Sequence, residues 1–199
     1  MKRQVKEIMI ADFRGRLEKY GDAPEAAGMS LEGQRFRFGK LMEIADLRNR
    51  RVLDLGCGIG AFCPFLFEKF GQLDYTGIDL VSEMVDFAAQ KYPWARFLCR
   101  DLFADPLDET FDYVLISTVF NCAFSGGDEY LKELLTLAFK YCTRGLGFNF
   151  LSTYVNFTDP EMAYYDPAQV LNFCIGNLTP KVVMHHHYER VDVSVFAYR

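Results

Sequence analysis

The sequence predicts an α/β fold: a doubly wound sheet flanked by helices and finished by an antiparallel hairpin. Three observations carry this prediction. Short apolar runs at 52–55, 73–79, 95–103, 111–121 and 147–154 alternate with segments whose apolar residues recur at helical spacing. The first run opens directly into Gly56, Gly58 and Gly60, which permit a tight turn and close ligand approach at the carboxyl end of a strand. The last twenty residues read as two strands, 180–187 and 191–198, with Val191, Val193 and Val195 on one face.

The elements follow in order. Residues 3–19 form a helix on the spacing of Val5, Ile8, Met9, Phe13 and Leu17. Residues 20–28 carry Gly21, Pro24 and Gly28 and read as a loop. Ser30 caps a second helix whose apolar pattern takes in Phe36, Phe38, Leu41, Ile44 and Leu47. These two helices precede the first strand and are expected to form a lid over the glycine loop, with Arg35 and Arg37 near enough to meet a ligand carboxylate. Helices are expected at 61–70, at 82–92 (ended by Pro93) and from Ser125 to about Cys142, where Gly145 ends the turn. The stretch 155–166 is a long loop of the kind that carries function, and a helix follows from near Ala168 to Ile175.

With 199 residues, half of them apolar and a quarter charged, the chain suits one folded domain with an ample core. No apolar run reaches the roughly 18 residues of a membrane span, and no apolar segment follows the charged start to make a signal peptide. The six cysteines show neither C-x-x-C pairs nor disulfide spacing, so they read as reduced thiols of a cytoplasmic protein. Net charge is −5: residues 1–51 hold twelve Lys/Arg against eight Asp/Glu, and residues 52–199 hold ten against nineteen. An acidic body argues against a nucleic-acid partner. Neighbouring strand residues alternate faces, so of His185, His186 and His187 only the first and third share one; no metal site is expected.

The candidate site is a convergence of strand ends. Asp54 ends the first strand, and the glycines follow as G-x-G-x-G, which differs from the G-x-G-x-x-G of dinucleotide sites. Asp79 ends the second strand nineteen residues after Gly60, a distance suited to hydrogen-bonding two ribose hydroxyls. Asp101 and Leu102 end the third, placed for an exocyclic amine and an aromatic ring, and residues 117–121 end the fourth.

The run VLDLGCGIG at 52–60, the acid Asp79 and the Asp101–Leu102 pair closely resemble class I S-adenosylmethionine-dependent methyltransferases over residues 50–150. The resemblance implies a Rossmann-like, seven-stranded doubly wound sheet with the C-terminal antiparallel hairpin, in one methyltransferase domain over 1–199. Residues 1–48 would be the helical lid and 50–199 the core. It implies S-adenosyl-L-methionine as cofactor, held by Arg37, Asp54, Gly56, Cys57, Gly58, Gly60, Asp79, Leu80, Met84, Asp101, Leu102 and Thr118. Residues 118–121 would line the way to the acceptor, with Tyr20, Asn121, Asn149, Tyr154, Tyr164 and Tyr165 as acceptor-side candidates. The N-P-P-Y signature of base and glutamine methylation is replaced by STVFN at 117–121, which disfavours DNA or release-factor methylation, while the tyrosines and phenylalanines of the candidate lid favour a small-molecule acceptor. The principal alternative is a cofactor-binding protein of this fold without catalysis. Aminopropyl transfer is disfavoured because residues 119–124 contain no acid, and nicotinamide chemistry because of the glycine spacing.

Overall fold

A computed structural model describes residues 3–28, 30–187 and 191–199; the expected turn at Tyr188 and Arg190 lies outside them. The chain runs α1 (Arg3–Tyr20), a 3-10 turn (Pro24–Ala27), α2 (Leu31–Leu41), a second 3-10 turn (Met42–Ile44), β1 (Arg51–Leu55), α3 (Phe62–Phe70), β2 (Asp74–Asp79) and α4 (Ser82–Lys91). It continues with β3 (Arg96–Cys99), β4 (Phe111–Ile116), α5 (Gly127–Tyr141), β5 (Cys142–Ser152), β6 (Tyr164–Tyr165), α6 (Pro167–Asn177), β7 (Val182–His185) and β8 (Asp192–Tyr198).

The sheet order is β3-β2-β1-β4-β5-β8-β7, parallel except for β8, which pairs antiparallel with both β5 and β7. β1 lies between β2 and β4, so the strand order reverses there and opens a crevice at the carboxyl ends of those strands. Helices cover both faces, which is why the strands are apolar throughout rather than alternating. Leu53, Val114, Ile116, Phe148 and Val195 face α5 and α6, while Val52, Tyr113, Leu115 and Phe196 face α2 and α3. Phe38 of α2 stacks on Phe62 of α3 with ring centroids 4.3 Å apart. No described helix is long and apolar enough to cross a membrane.

Several boundaries differ from those expected, each for a local reason. The second helix stops at Leu41 and tightens into a 3-10 turn, so Ile44 and Leu47 are buried beyond it. β3 ends at Cys99 because Asp101 bends the chain: its side chain accepts from Phe103 N at 3.0 Å and its carbonyl from Ala104 N at 3.0 Å. β4 ends at Ile116, where Thr118 takes a left-handed conformation (φ 62°). α5 passes into β5 at Cys142 without a glycine stop, and Gly145 lies within β5, where a Cβ would stand 3.2 Å from the Tyr198 ring. The 155–166 loop contains β6, a two-residue strand added beside β5. Ser30 caps α2 as expected, accepting from Gly33 N at 3.1 Å.

Candidate active site

A cavity of about 380 Å³ occupies the crevice. Its floor is the glycine loop. Gly56 and Cys57 donate their N–H groups to Ile78 O at 2.8 and 3.0 Å, which ties the loop to the end of β2. Gly56 has φ 83°, and a Cβ there would stand 2.2 Å from Val119 Cγ2, so only glycine lets the β4 end close over the loop.

Asp79 is the hub of the floor. One carboxylate oxygen accepts from Gly58 N at 2.8 Å and the other from Val81 N at 3.0 Å, joining the glycine loop to the start of α4. Burial raises its pKa, and these backbone donors offset part of the rise. Asp101 stands at the mouth with Lys6 Nζ 2.6 Å away. Burial alone would raise its pKa, but Lys6 and the Phe103 N–H outweigh burial and hold it low. Leu80, Met84, Leu102, Phe103 and Tyr130 form apolar wall around the two acids.

The far wall comes from the β4 end. Thr118, a β-branched residue in a conformation that favours glycine, is held by its N–H donating to Asn149 Oδ1 at 2.8 Å. This turn brings Ser117, Thr118, Val119, Asn121 and Cys122 to the cavity. Ser117 Oγ and Asn121 Oδ1 are buried with no hydrogen-bond partner among the described residues.

Of the residues singled out from sequence, the cavity brings together Arg37, Gly56, Gly58, Asp79, Leu80, Met84, Asp101, Leu102, Thr118 and Asn121. Arg37 is already engaged, with Nε 2.5 Å from Asp192 Oδ1. Asp54, Cys57 and Gly60 are not on the cavity surface. Strand alternation turns Asp54 to the other face of the sheet, where Tyr75 OH donates to it at 2.7 Å; burial lifts its pKa to about 7. Cys57 packs against Gly77, and burial raises its thiol well above the ordinary value. Gly60 leaves room for the ring of Phe97, which would stand 2.9 Å from a Cβ.

The acceptor-side tyrosines lie elsewhere. Tyr20 is at the exposed end of α1 beneath Lys19, and Tyr154 is 69% exposed. Tyr164 OH accepts from Asp159 N at 3.0 Å and pins its own loop, and Tyr165 is buried against Phe150. Asn149 acts on the site through Thr118 rather than by lining it. His185 faces Glu43 and Phe196, and no cluster of three or more possible metal ligands occurs among the described residues.

Sequence reasoning missed the α1 wall (Lys6, Met9, Ile10, Phe13 and Arg16), as well as Tyr130, Glu161 and Met162. That the N-terminal helices cover the glycine loop was legible; which α1 side chains meet the cavity was not. α1 is docked across the mouth by Lys6–Asp101 (2.6 Å), Arg14–Glu83 (2.6 Å) and Asp22–Lys91, and by Ile10, Phe13 and Leu17 against Val81 and Met84.

Comparison with known proteins agrees with this geometry. Residues 52–139 match the methyltransferase domain family. A putative methyltransferase of Mycobacterium tuberculosis is 31% identical over 153 residues, covering 72% of this chain and 90% of that protein. A fatty-acid O-methyltransferase of Mycolicibacterium smegmatis is 36% identical over 74 residues, but the match covers only 27% of its length. Among solved structures, the magnesium protoporphyrin IX methyltransferase of Synechocystis PCC 6803 with bound SAH superposes with a TM-score of 0.69 at 18% identity, covering 100% of both chains. The DhpI–SAM–HEP complex superposes at 0.72 and 15% identity, covering 100% of this chain and 99% of that one, and at such identities the likeness is one of fold. The relatives carry the names of enzymes, which leaves the non-catalytic alternative without support. Glycine loop, terminal acids, sheet order and a relative matched over most of both chains converge: the chain belongs to the class I S-adenosylmethionine-dependent methyltransferase family.

Proposed function

We propose that the cavity holds S-adenosylmethionine along the ends of β1, β2 and β3, with a small-molecule methyl acceptor at the Thr118–Cys122 end. The observation that carries the reading is Asp79, a half-buried carboxylate on the cavity wall braced by the glycine loop and by α4, with acceptor capacity left for a diol. The residues present fit the cofactor. Asp79 would take the ribose hydroxyls, Asp101 with Leu102 and Phe103 the adenine, and the loop at Gly56 and Gly58 the methionine portion near the orphaned Ser117 hydroxyl. When bound, S-adenosylmethionine supplies a methyl group made electrophilic by its sulfonium, and the electron pair of the broken C–S bond stays on sulfur. The protein's contribution is alignment and exclusion of water.

In this reading the chain is one domain, with α1 acting as the lid and α2 packed on the sheet as part of the core. A cavity volume of about 380 Å³ suits small molecules rather than a polymer.

The test is calorimetric titration with S-adenosylmethionine, S-adenosylhomocysteine and NAD, on the wild type and on Asp79→Ala checked for folding by circular dichroism. The first two ligands should bind and NAD should not, and the variant should lose binding by at least about tenfold, as expected for charge-assisted hydrogen bonds. A folded wild type that binds neither sulfur ligand would overturn the reading.

A further inference from the structure

Two opposite charges border the acceptor end without pairing. Glu161 comes from the loop after β5, and Arg16 from α1; both line the cavity. Each is held by its own scaffold. Ala123 N donates to Glu161 O at 3.0 Å and Ala163 N to Asn121 O at 2.9 Å, and Cys122 bridges Met162, so this loop is clamped to the β4 end. The clamp holds the backbone of Glu161 near Asn121, whose buried amide oxygen has no hydrogen-bond partner among the described residues, and leaves the exposed Glu161 side chain at the cavity rim.

Arg16 is held from the other direction. Its Nε donates to Asp12 at 2.8 Å, and its guanidinium lies over Gly28, where a Cβ would stand 2.8 Å from Nη1. Its terminal nitrogens make no hydrogen bond among the described residues. Burial raises the Cys122 thiol pKa, the charge of Arg16 opposes that rise and the charge of Asp12 adds to it, and Arg16 and Cys122 line the same cavity. Arg37, the other guanidinium at this end, is committed to Asp192. Arg37 engages Asp192 with both Nε and Nη2, whereas Arg16 meets Asp12 through Nε alone and keeps its terminal nitrogens for an anion; Glu161 offers a carboxylate as proton acceptor, and Phe13, Leu151 and Met162 are apolar walls of the same cavity.

We propose that the methyl acceptor is a small two-headed molecule with an apolar body, presenting a hydroxyl or amine to Glu161 and an anionic group to Arg16. The inference rests on the reading of the cavity as a methyl-transfer site. The acceptor's oxygen or nitrogen forms the new bond to the methyl carbon as the bond from carbon to sulfur breaks. The hydrogen on that atom leaves as a proton to the Glu161 carboxylate, so charge and atoms balance.

The test uses the protein saturated with S-adenosylhomocysteine and four probes on one ring: 4-hydroxyphenylacetate, 4-aminophenylacetate, phenylacetate and 4-methylphenol. Calorimetry should show a two-headed probe binding about tenfold or more tighter than either single-headed one. The hydroxyl and amine probes separate the two nucleophiles. Glu161→Gln should reduce the two-headed probe toward phenylacetate, and Arg16→Met toward 4-methylphenol, with S-adenosylhomocysteine affinity unchanged in both. Equal binding of all probes, no probe binding to the cofactor complex, or a ranking indifferent to both substitutions would overturn the proposal. Failure of S-adenosylhomocysteine itself to bind would instead sink the underlying reading, and this inference with it.

Discussion

Replacing Asp54 with asparagine should stabilise this protein at neutral and alkaline pH, although the acid at this position lies within the best-recognised motif in the chain, residues 52–60. Asp54 is 2% exposed, and its one side-chain donor is the Tyr75 hydroxyl. Burial is the main cause raising its pKa from 3.8 to about 7; the Asp79 charge adds to the rise, and Tyr75 opposes it. The folded protein therefore holds a proton here that the unfolded chain releases near 3.8, so stability falls as pH rises between those values. About three pKa units correspond to roughly 4 kcal/mol of stability lost by pH 8. Asp54→Asn keeps an acceptor for Tyr75 and has no proton to lose. Reversible urea unfolding, repeated between pH 4 and pH 8, should show the two proteins similar at pH 4. The variant should then gain steadily, to a few kcal/mol at pH 8. Parallel pH profiles for the two proteins would refute the reasoning, because they would mean that Asp54 ionises in the folded state as it does in the unfolded one.

Arg37→Met should destabilise the fold by about 3–5 kcal/mol, because it strands Asp192, whose side chain is 5% exposed, without its cation. Urea midpoints should recover much of that loss when Asp192→Leu is added. Asn149→Ala should cost about 1–3 kcal/mol, since the Thr118 N–H loses its acceptor, leaving the turn at φ 62° to the Thr118 Oγ1–Ser117 O and Asn121 N–Thr118 O hydrogen bonds. Amide hydrogen exchange should report that loss as faster exchange at Thr118 itself, whereas unchanged exchange there would show that the turn does not depend on Asn149.

The sheet was legible because a doubly wound fold writes itself locally. Buried strands are short apolar runs, the glycine loop has its own spacing, and Ser30 marks a helix start by accepting from the backbone N–H three residues on. Asp79, Asp101 and Asn121 were found by the same logic, since residues at the carboxyl ends of parallel strands must share one crevice. The tyrosines were not. A tyrosine in a loop carries no sign of whether its hydroxyl meets a ligand or, as for Tyr164, a neighbouring backbone amide. β6 was too short to register as a run, and Gly145 resembled a helix stop although its role is to admit the Tyr198 ring.

The sequence by itself determined the order of strands and helices, the glycine loop, and the acids that end the strands. These depend on spacing along the chain, and spacing survives without coordinates. Tertiary structure alone decided that Asp54 turns away to Tyr75 and that the expected lid is docked by Lys6 on Asp101 and Arg14 on Glu83. It also decided that Glu161 and Arg16 border one cavity from segments 145 positions apart (161 − 16). The physical reason is the same in each case. A side chain's partner is set by which face its backbone presents and by what packs there, and both are properties of the assembled sheet and its covering helices.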